Sequence, residues 1–300
     1  EPAGAKTAPS IHRGMRITVL PVENLSSINA PLEDIGNSIS LEIEKNGFRV
    51  VSKDSLEQFR KKHRMRYTGG VNSALSAAML TELGADAVLI TSLEAYHEEA
   101  PPQISLIARL VSCGPQPEII WIDSIGLSGD ESPGLLDLDL IRSPGELLRK
   151  AVGILTDSLM ASFDKATQAD DIPDPSEASI VGPLTSPGYR LKWKYLPPDY
   201  FRSPSLPDCW EQPGPEPLTS PGYRLNRKYL PYDYFRSPLI DPGRKYSIAV
   251  LPMLDLAGRK NSGIIGQLHY VRELFNLTDY KVIEPALVRE DLLRIRAIMP

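Results

Sequence analysis

Apolar residues recur along the chain with two different periods, and the switches between them mark out successive elements. Residues 16–22, reading Arg16-Ile-Thr-Val-Leu-Pro-Val22, are a short apolar run interrupted by proline, as expected of a buried strand with a stop. Pro31 suits the first turn of a helix, and Leu32, Ile35, Ile39 and Ile43 then follow at helical spacing as far as Gly47. Phe48-Arg-Val-Val51 reads as a second strand, and Ser52 caps a helix carrying Leu56 and Phe59, with Arg60, Lys61, Lys62 and Arg64 on its exposed side. After a break at Gly69-Gly70, Asn72 starts a helix through Leu75, Met79 and Leu83, closed by Gly84.

Three β-rich stretches come next, at residues 86–96, 103–112 and 118–127, with Pro101-Pro102 and Gly114-Pro115 as turns. In the middle stretch Ile104, Leu106, Ala108 and Leu110 alternate with Ser105 and Arg109, the pattern of a strand with one covered face. Ser143-Pro-Gly-Glu146 has the form of a capping box and opens a helix striped by Leu148, Val152, Leu155 and Leu159. The order β-α-β-α-α-β-β-β-α predicts an α/β fold, a mixed-sheet α/β sandwich over residues 15–165.

Beyond residue 165 the pattern changes. An acidic linker occupies residues 166–183, and residues 184–244 hold a phrase of twenty-one residues written twice. LTSPGYRLKWKYLPPDYFRSP at 184–204 returns as LTSPGYRLNRKYLPYDYFRSP at 218–238, differing only at Lys192/Asn226, Trp193/Arg227 and Pro198/Tyr232. Its prolines and glycines oppose long helices. Solvated linkers seldom keep so many aromatic side chains, whereas Tyr, Trp and Arg are the usual anchors of protein interfaces. Each copy therefore reads as an extended docking strap, with Tyr189, Arg190, Trp193, Tyr195, Tyr200, Phe201 and Arg202 in the first. Tyr223, Arg224, Tyr229, Tyr234, Phe235 and Arg236 are the candidates in the second. A proline-rich linker that duplicated without diverging is the plainer alternative. The copies are offset by 34 residues, a span of at most ~110 Å when fully extended.

Residues 245–300 open a second domain of the first type. Ser247-Ile-Ala-Val-Leu-Pro-Met253 repeats the first strand, Ser262 begins a helix through Ile264, Leu268, Val271 and Phe275, and Tyr280-Lys-Val-Ile283 matches Phe48-Arg-Val-Val51. Glu284-Pro285 starts a further helix through Val288, Leu292 and Ile295. A β-α-β-α piece alone leaves a sheet edge and apolar helix faces uncovered. Either the natural chain continues, the preferred reading, or this half-domain docks on a neighbour.

Composition narrows the function more by exclusion than by indication. Three hundred residues suffice for about two domains, and a net charge of −5 argues against nucleic acid as a partner despite the basic, aromatic straps. The 28 prolines concentrate between residues 173 and 242. No apolar run reaches the ~20 residues of a membrane helix, and residues 1–14 read as an Ala/Pro/Ser tether of a mature exported protein. Cys113 and Cys209 lie in no CxxC pattern; in an oxidising compartment they are a candidate disulfide.

Chemistry-bearing motifs are missing. His12, His63, His97 and His269 are scattered, so no metal site is expected, and His97-Glu98-Glu99 reads as a polar strand end. The stretch from Gly258 to Gly263 lacks phosphate-loop spacing, Asp137 and Asp139 alternate with leucines as on a half-buried edge, and no nucleophile motif is present. The expectation is a protein without catalytic residues and without a cofactor.

One resemblance draws these pieces together. The opening I-x-V-L-P-x-x-N-L from Ile17 to Leu25, GFRVV at 47–51, LGADAVLITSLEAY at 83–96 and IIWIDS at 119–124 follow one another in an order that resembles the bacterial envelope domains related to the TolB amino-terminal domain, the curli-secretion lipoprotein CsgG and the LpoB-type lipoproteins. The resemblance covers most of residues 15–165. It implies a non-enzymatic protein of the periplasm, outer membrane or cell surface, often lipid-tethered, that works by binding and by forming homo-oligomers or joining a multi-copy envelope complex. Two departures qualify it: no lipobox cysteine is visible, and the turns at Pro101 and Gly114 are too short for the long hairpins of a curli-type pore. The alternative is an envelope binding module that regulates a peptidoglycan synthase, or that recognises a glycan or small ligand in a cleft of the first domain.

Overall fold

The computed structural model describes residues 14–131, 140–169, 246–253, 255, 258–277 and 280–294, which belong to one compact unit. A mixed sheet lies at its centre. Strands β1 (Arg16–Val19), β3 (Arg49–Val50), β4 (Ala87–His97), β5 (Gln103–Ser112) and β6 (Ile119–Ser128) run in the order β3-β1-β4-β5-β6, and the short β2 (Glu23–Asn24) also pairs with β4. The β3-β1-β4 and β2-β4 pairings are parallel; β4-β5 and β5-β6 are antiparallel meanders. The fold is the expected mixed-sheet α/β sandwich.

Period-two alternation divides the sheet residues between two cores. Toward one face point Ile17, Leu89, Leu93, Leu106, Ala108, Leu110 and Trp121, packed against helix α1 (Leu32–Lys45) and helix α4 (Pro144–Ala169). Ile35, Ile39 and Ile43 form the buried stripe of α1, while Leu148, Val152, Leu155 and Leu159 form that of α4, as their spacing requires. Toward the other face point Val88, Ile90, Ile107, Val111 and Ile122, covered by α2 (Lys53–Lys62) and α3 (Ser73–Leu83).

Local signals explain the helix ends. Ser52 and Asn72 accept hydrogen bonds from the backbone N–H groups of Ser55 and Leu75. Gly84 closes α3 in the left-handed conformation at φ 60°, which a side chain would make costly.

The segment beyond residue 245 completes the second face. It forms β7 (Ser247–Ile248), α5 (Ser262–Leu277), β8 (Lys281–Val282) and α6 (Pro285–Arg294). Among the described residues, strands β7 and β8 pair with each other, in parallel, and so echo β1 and β3. Leu268 and Val271 of α5 and Val282 of β8 join the same apolar cluster as Ile107 and Ile122. The β-α-β-α segment therefore seats on the sheet that precedes it in the chain.

This seating corrects the expectation for β5. Alternation places Arg109 on the polar side of a half-covered strand, yet both faces are covered and Arg109 is 1% exposed. A guanidinium tolerates such burial only when its charge and donors are matched. The partner, Glu284, comes from 175 residues further along the chain.

Candidate functional site

Arg109 stands at the junction of the sheet with the 246–294 segment. Its Nε donates to Glu284 Oε2 at 2.9 Å and its Nη2 to Oε1 at 2.8 Å, a two-pronged pair with both side chains buried. Nη2 also donates to the Gly69 carbonyl at 2.6 Å. Burial alone lowers a guanidinium pKa; here the charge and hydrogen bonds of Glu284 outweigh it and hold Arg109 above its ordinary value. Glu284 immediately precedes α6, where its backbone carbonyl accepts from the N–H groups of Leu287 and Val288. Pro285 takes the first helical position, needing no hydrogen-bond acceptor there, and the helix dipole favours the carboxylate.

Two glycines make the approach possible. A Cβ on Gly69 would overlap the Glu23 carboxylate, and one on Gly70 would fall 2.6 Å from the Ala286 Cβ. The Gly69-Gly70 pair, expected only to break a helix, is thus where the chain lets Glu23, Arg109 and α6 converge. Glu23 accepts in turn from Ser92 Oγ at 2.9 Å.

Above this floor opens a cleft of about 360 Å³ between the loop from His63 to Asn72 and α6. Arg64 and Arg66 line it from the loop and Arg289 from the helix, with Glu290 as a single carboxylate. The Arg289 guanidinium lies 4.5 Å over the centre of the Tyr67 ring. Tyr67 is 37% exposed, and its hydroxyl donates to the Gly69 carbonyl at 3.1 Å. Burial, reinforced by the negative charge of Glu23, pushes that hydroxyl up to about 12. The cleft suits an anionic group bearing several acceptor oxygens. The basic helix singled out from the sequence is less open: Arg60 pairs with Glu57, and Lys62 with Glu82 at 2.9 Å. Hydrogen bonds from Lys62 and His63 hold the Glu82 carboxyl below its usual range.

Further links join the segment to the sheet. Arg259 Nη2 donates to the Glu94 carbonyl at 2.9 Å and Asn261 Nδ2 to the Leu25 carbonyl at 3.2 Å. Arg272 reaches Ser124, and Lys281 pairs with Glu118. The buried Glu94 carboxylate accepts from Ser105 at 2.8 Å, while His269 Nε2 stands 2.9 Å from its other oxygen, within ion-pair range but out of hydrogen-bond alignment.

The strap residues Tyr189, Arg190, Trp193, Tyr195, Tyr200, Phe201 and Arg202, with Tyr223, Arg224, Tyr229, Tyr234, Phe235 and Arg236, lie outside the described residues, as does Cys209. Cys113 is half-buried just past β5; burial and the charge of Asp86 push its thiol up to about 12. Among the described residues no three His, Cys, Asp or Glu side chains are grouped to hold a metal ion, and no helix is long and apolar enough to cross a membrane. Sequence pattern alone does not single out Arg109, Glu284, Tyr67, Arg66 or Arg289 as site residues. The one signal for the pair is an arginine inside the apolar run Leu106-Ile-Ala-Arg-Leu-Val111, which demands an acid elsewhere.

No protein-family model matches this chain, and no curated protein sequence does. Among solved structures it is similar to lipoprotein GNA1162 of Neisseria meningitidis, with 22% identity over 48% of this chain and 98% of that one and a TM-score of 0.34. It is also similar to the PelC dodecamer of Paraburkholderia phytofirmans, with 12% identity over 51% and 93% and a TM-score of 0.34. A third is the C-terminal domain of LpoB from Escherichia coli, with 17% identity over 40% and 87% and a TM-score of 0.33. LpoB, one of the three groups that the sequence resembles, is thus among these structures; the TolB and CsgG resemblances rest on the sequence motifs.

Proposed function

We propose that this chain is a non-enzymatic assembly protein of the bacterial cell envelope, which forms homo-oligomers and docks on neighbouring subunits or a larger complex through its two near-identical straps. The observation that carries this reading is the duplicated phrase at 184–204 and 218–238: matching aromatic and arginine anchors suit matching sites on a multi-copy partner. The fold adds support, because α4 before the duplicated phrase and β7 after it belong to one body, so both motifs are carried by one connection that leaves and re-enters that body. Two motifs on one loop raise each other's local concentration once the first has bound. Light scattering at micromolar concentration, with capture of envelope partners, tests it. Tyr189→Ala and Tyr223→Ala together weaken assembly more than either alone; an exclusively monomeric protein that captures nothing overturns the reading.

A second reading, a binding module for a peptidoglycan synthase, a glycan or a small ligand, is favoured by the arginine-lined cleft. Calorimetric titration with acidic glycan fragments separates the two. Arg64→Ala with Arg289→Ala abolishes binding if the cleft is the site, whereas loss on deleting 184–238 alone favours the straps.

A further inference from the structure

We propose that the cleft between the His63–Asn72 loop and α6 is a phosphate site, in which Arg64, Arg66 and Arg289 hold the phosphate group of an ester. The inference deepens the second reading above, and rests on it, by naming the chemistry of the ligand.

The charge in the cleft is unbalanced. Other cationic side chains stand beside acids, Lys45 with Glu42, Lys62 with Glu82 and Lys281 with Glu118 among them. Among the described residues, none of the three cleft arginines has a carboxylate within 4.0 Å. Glu290, the acid on the wall, lies 3.9 Å from Arg294 instead. Three guanidiniums against one carboxylate leave a net +2 on a chain whose total is −5. A phosphate monoester carries about −1.5 to −2 at neutral pH and offers three strong acceptor oxygens, which matches both the charge and the number of forks. A single carboxylate supplies half that charge and two oxygens in one plane.

The arrangement of the donors fits the same group. Arg64 and Arg66 come from the loop after α2 and Arg289 from α6, so the guanidiniums reach a common volume from two elements. The Tyr67 ring, 4.5 Å away, covers one face of the Arg289 guanidinium and leaves its N–H edge to donate. The Tyr67 hydroxyl is committed to the Gly69 carbonyl, so the ring is a platform and not a donor. Arg64 follows the C-cap His63 at φ 49°, in the left-handed region where glycine or asparagine ordinarily ends a helix. The backbone gains nothing from an arginine there, so the reason for one lies in its exposed side chain. Met65, Leu75 and Leu293 make the apolar part of the wall, a surface for the carbon skeleton of an ester. The volume of about 360 Å³ lies within the ~300–1,000 Å³ of small-molecule sites.

Calorimetric titration of the full chain compares glycerol 1-phosphate with glycerate, a carboxylate on a three-carbon skeleton. The phosphate is expected to bind at least about tenfold more tightly, and Arg64→Ala or Arg289→Ala each to weaken it by about tenfold or more. Arg289→Lys, which keeps the charge but not the fork, also weakens it, whereas Lys45→Ala, on α1 against the other face of the sheet, changes nothing. Unaltered binding by Arg289→Lys, or an equal loss in Lys45→Ala, reveals diffuse charge attraction and overturns the site. Sedimentation with phosphatidylcholine vesicles, with and without phosphatidic acid, distinguishes the source. Capture by the phosphatidic acid vesicles alone, lost in Arg64→Ala, supports a lipid headgroup; no capture, with glycerol 1-phosphate still bound, supports a soluble ester. Glycerate or acidic glycan fragments bound through these arginines without preference for phosphate overturn the phosphate assignment and leave the second reading standing. No arginine-dependent binding of any of these anions overturns both.

Discussion

Gly70 and Ala286 meet so closely that a Cβ added to the glycine would stand 2.6 Å from the alanine's own Cβ. The same added atom would lie 3.0 Å from a Glu284 carboxylate oxygen, so the contact and the buried ion pair occupy one small volume. The methyl group has no flexible neighbour to displace: one side is a helix and the other a fixed carboxylate.

Gly70→Ala is therefore expected to lift α6 from the sheet while sparing the remainder of the fold. Limited proteolysis reads this directly, with cleavage appearing within 246–294 at protease levels that leave the unsubstituted chain intact. Equal resistance of the two proteins would show that the backbone relaxes at no cost.

Arg109→Met leaves the Glu284 carboxylate buried without its partner, a change that costs about 3–5 kcal/mol when the charge has no escape. Here undocking returns the carboxylate to water, so the observed loss is capped by the docking free energy. Urea unfolding should show a substantial loss for Arg109→Met, and recovery of much of it when Glu284→Leu is added. If the single change is neutral, the ion pair does not hold the segment.

Tyr67 gives the junction an alkaline limit. Its hydroxyl ionises near 10 when unfolded but is held up to about 12 in the folded chain. The folded state thus keeps its proton where the unfolded state has lost it. This contribution is constant below pH 10 and turns against folding as pH rises from 10 toward 12. Tyr67→Phe should flatten part of the fall in unfolding free energy across that window; parallel falls in the two proteins would remove Tyr67 as a cause.

The Cys113 thiol, likewise pushed up to about 12, is a poor nucleophile at neutral pH. Ellman's reagent should react with it slowly in the native reduced protein and rapidly after denaturation. Peptide mapping of the protein purified without reductant tests the proposed bond to Cys209: a Cys113–Cys209 peptide supports it, and two alkylated thiols exclude it.

Much of the fold is legible in the sequence because its signals are local. The long strands β4, β5 and β6 fall within a residue of the stretches marked by β-rich composition and turn residues, and Ser52, Asn72 and Gly84 end helices as their side chains dictate. The site is not legible, for the opposite reason. Arg109 and Glu284 are 175 positions apart, and the cleft takes Arg64 and Arg66 from one loop and Arg289 from a helix far along the chain. Alternation around Arg109 reads the same whether its face meets water or a carboxylate on another element. Only the docked segment distinguishes the two.

Helix α4 and strand β7, the described elements on either side of residues 170–245, are held unequally. Helix α4 runs for 26 residues and is pinned by a buried row from Leu147 to Phe163, whereas β7 is paired at two positions only. Of these two elements β7 is the less firmly held, so local opening of the body is expected to begin there and to leave α4 in place.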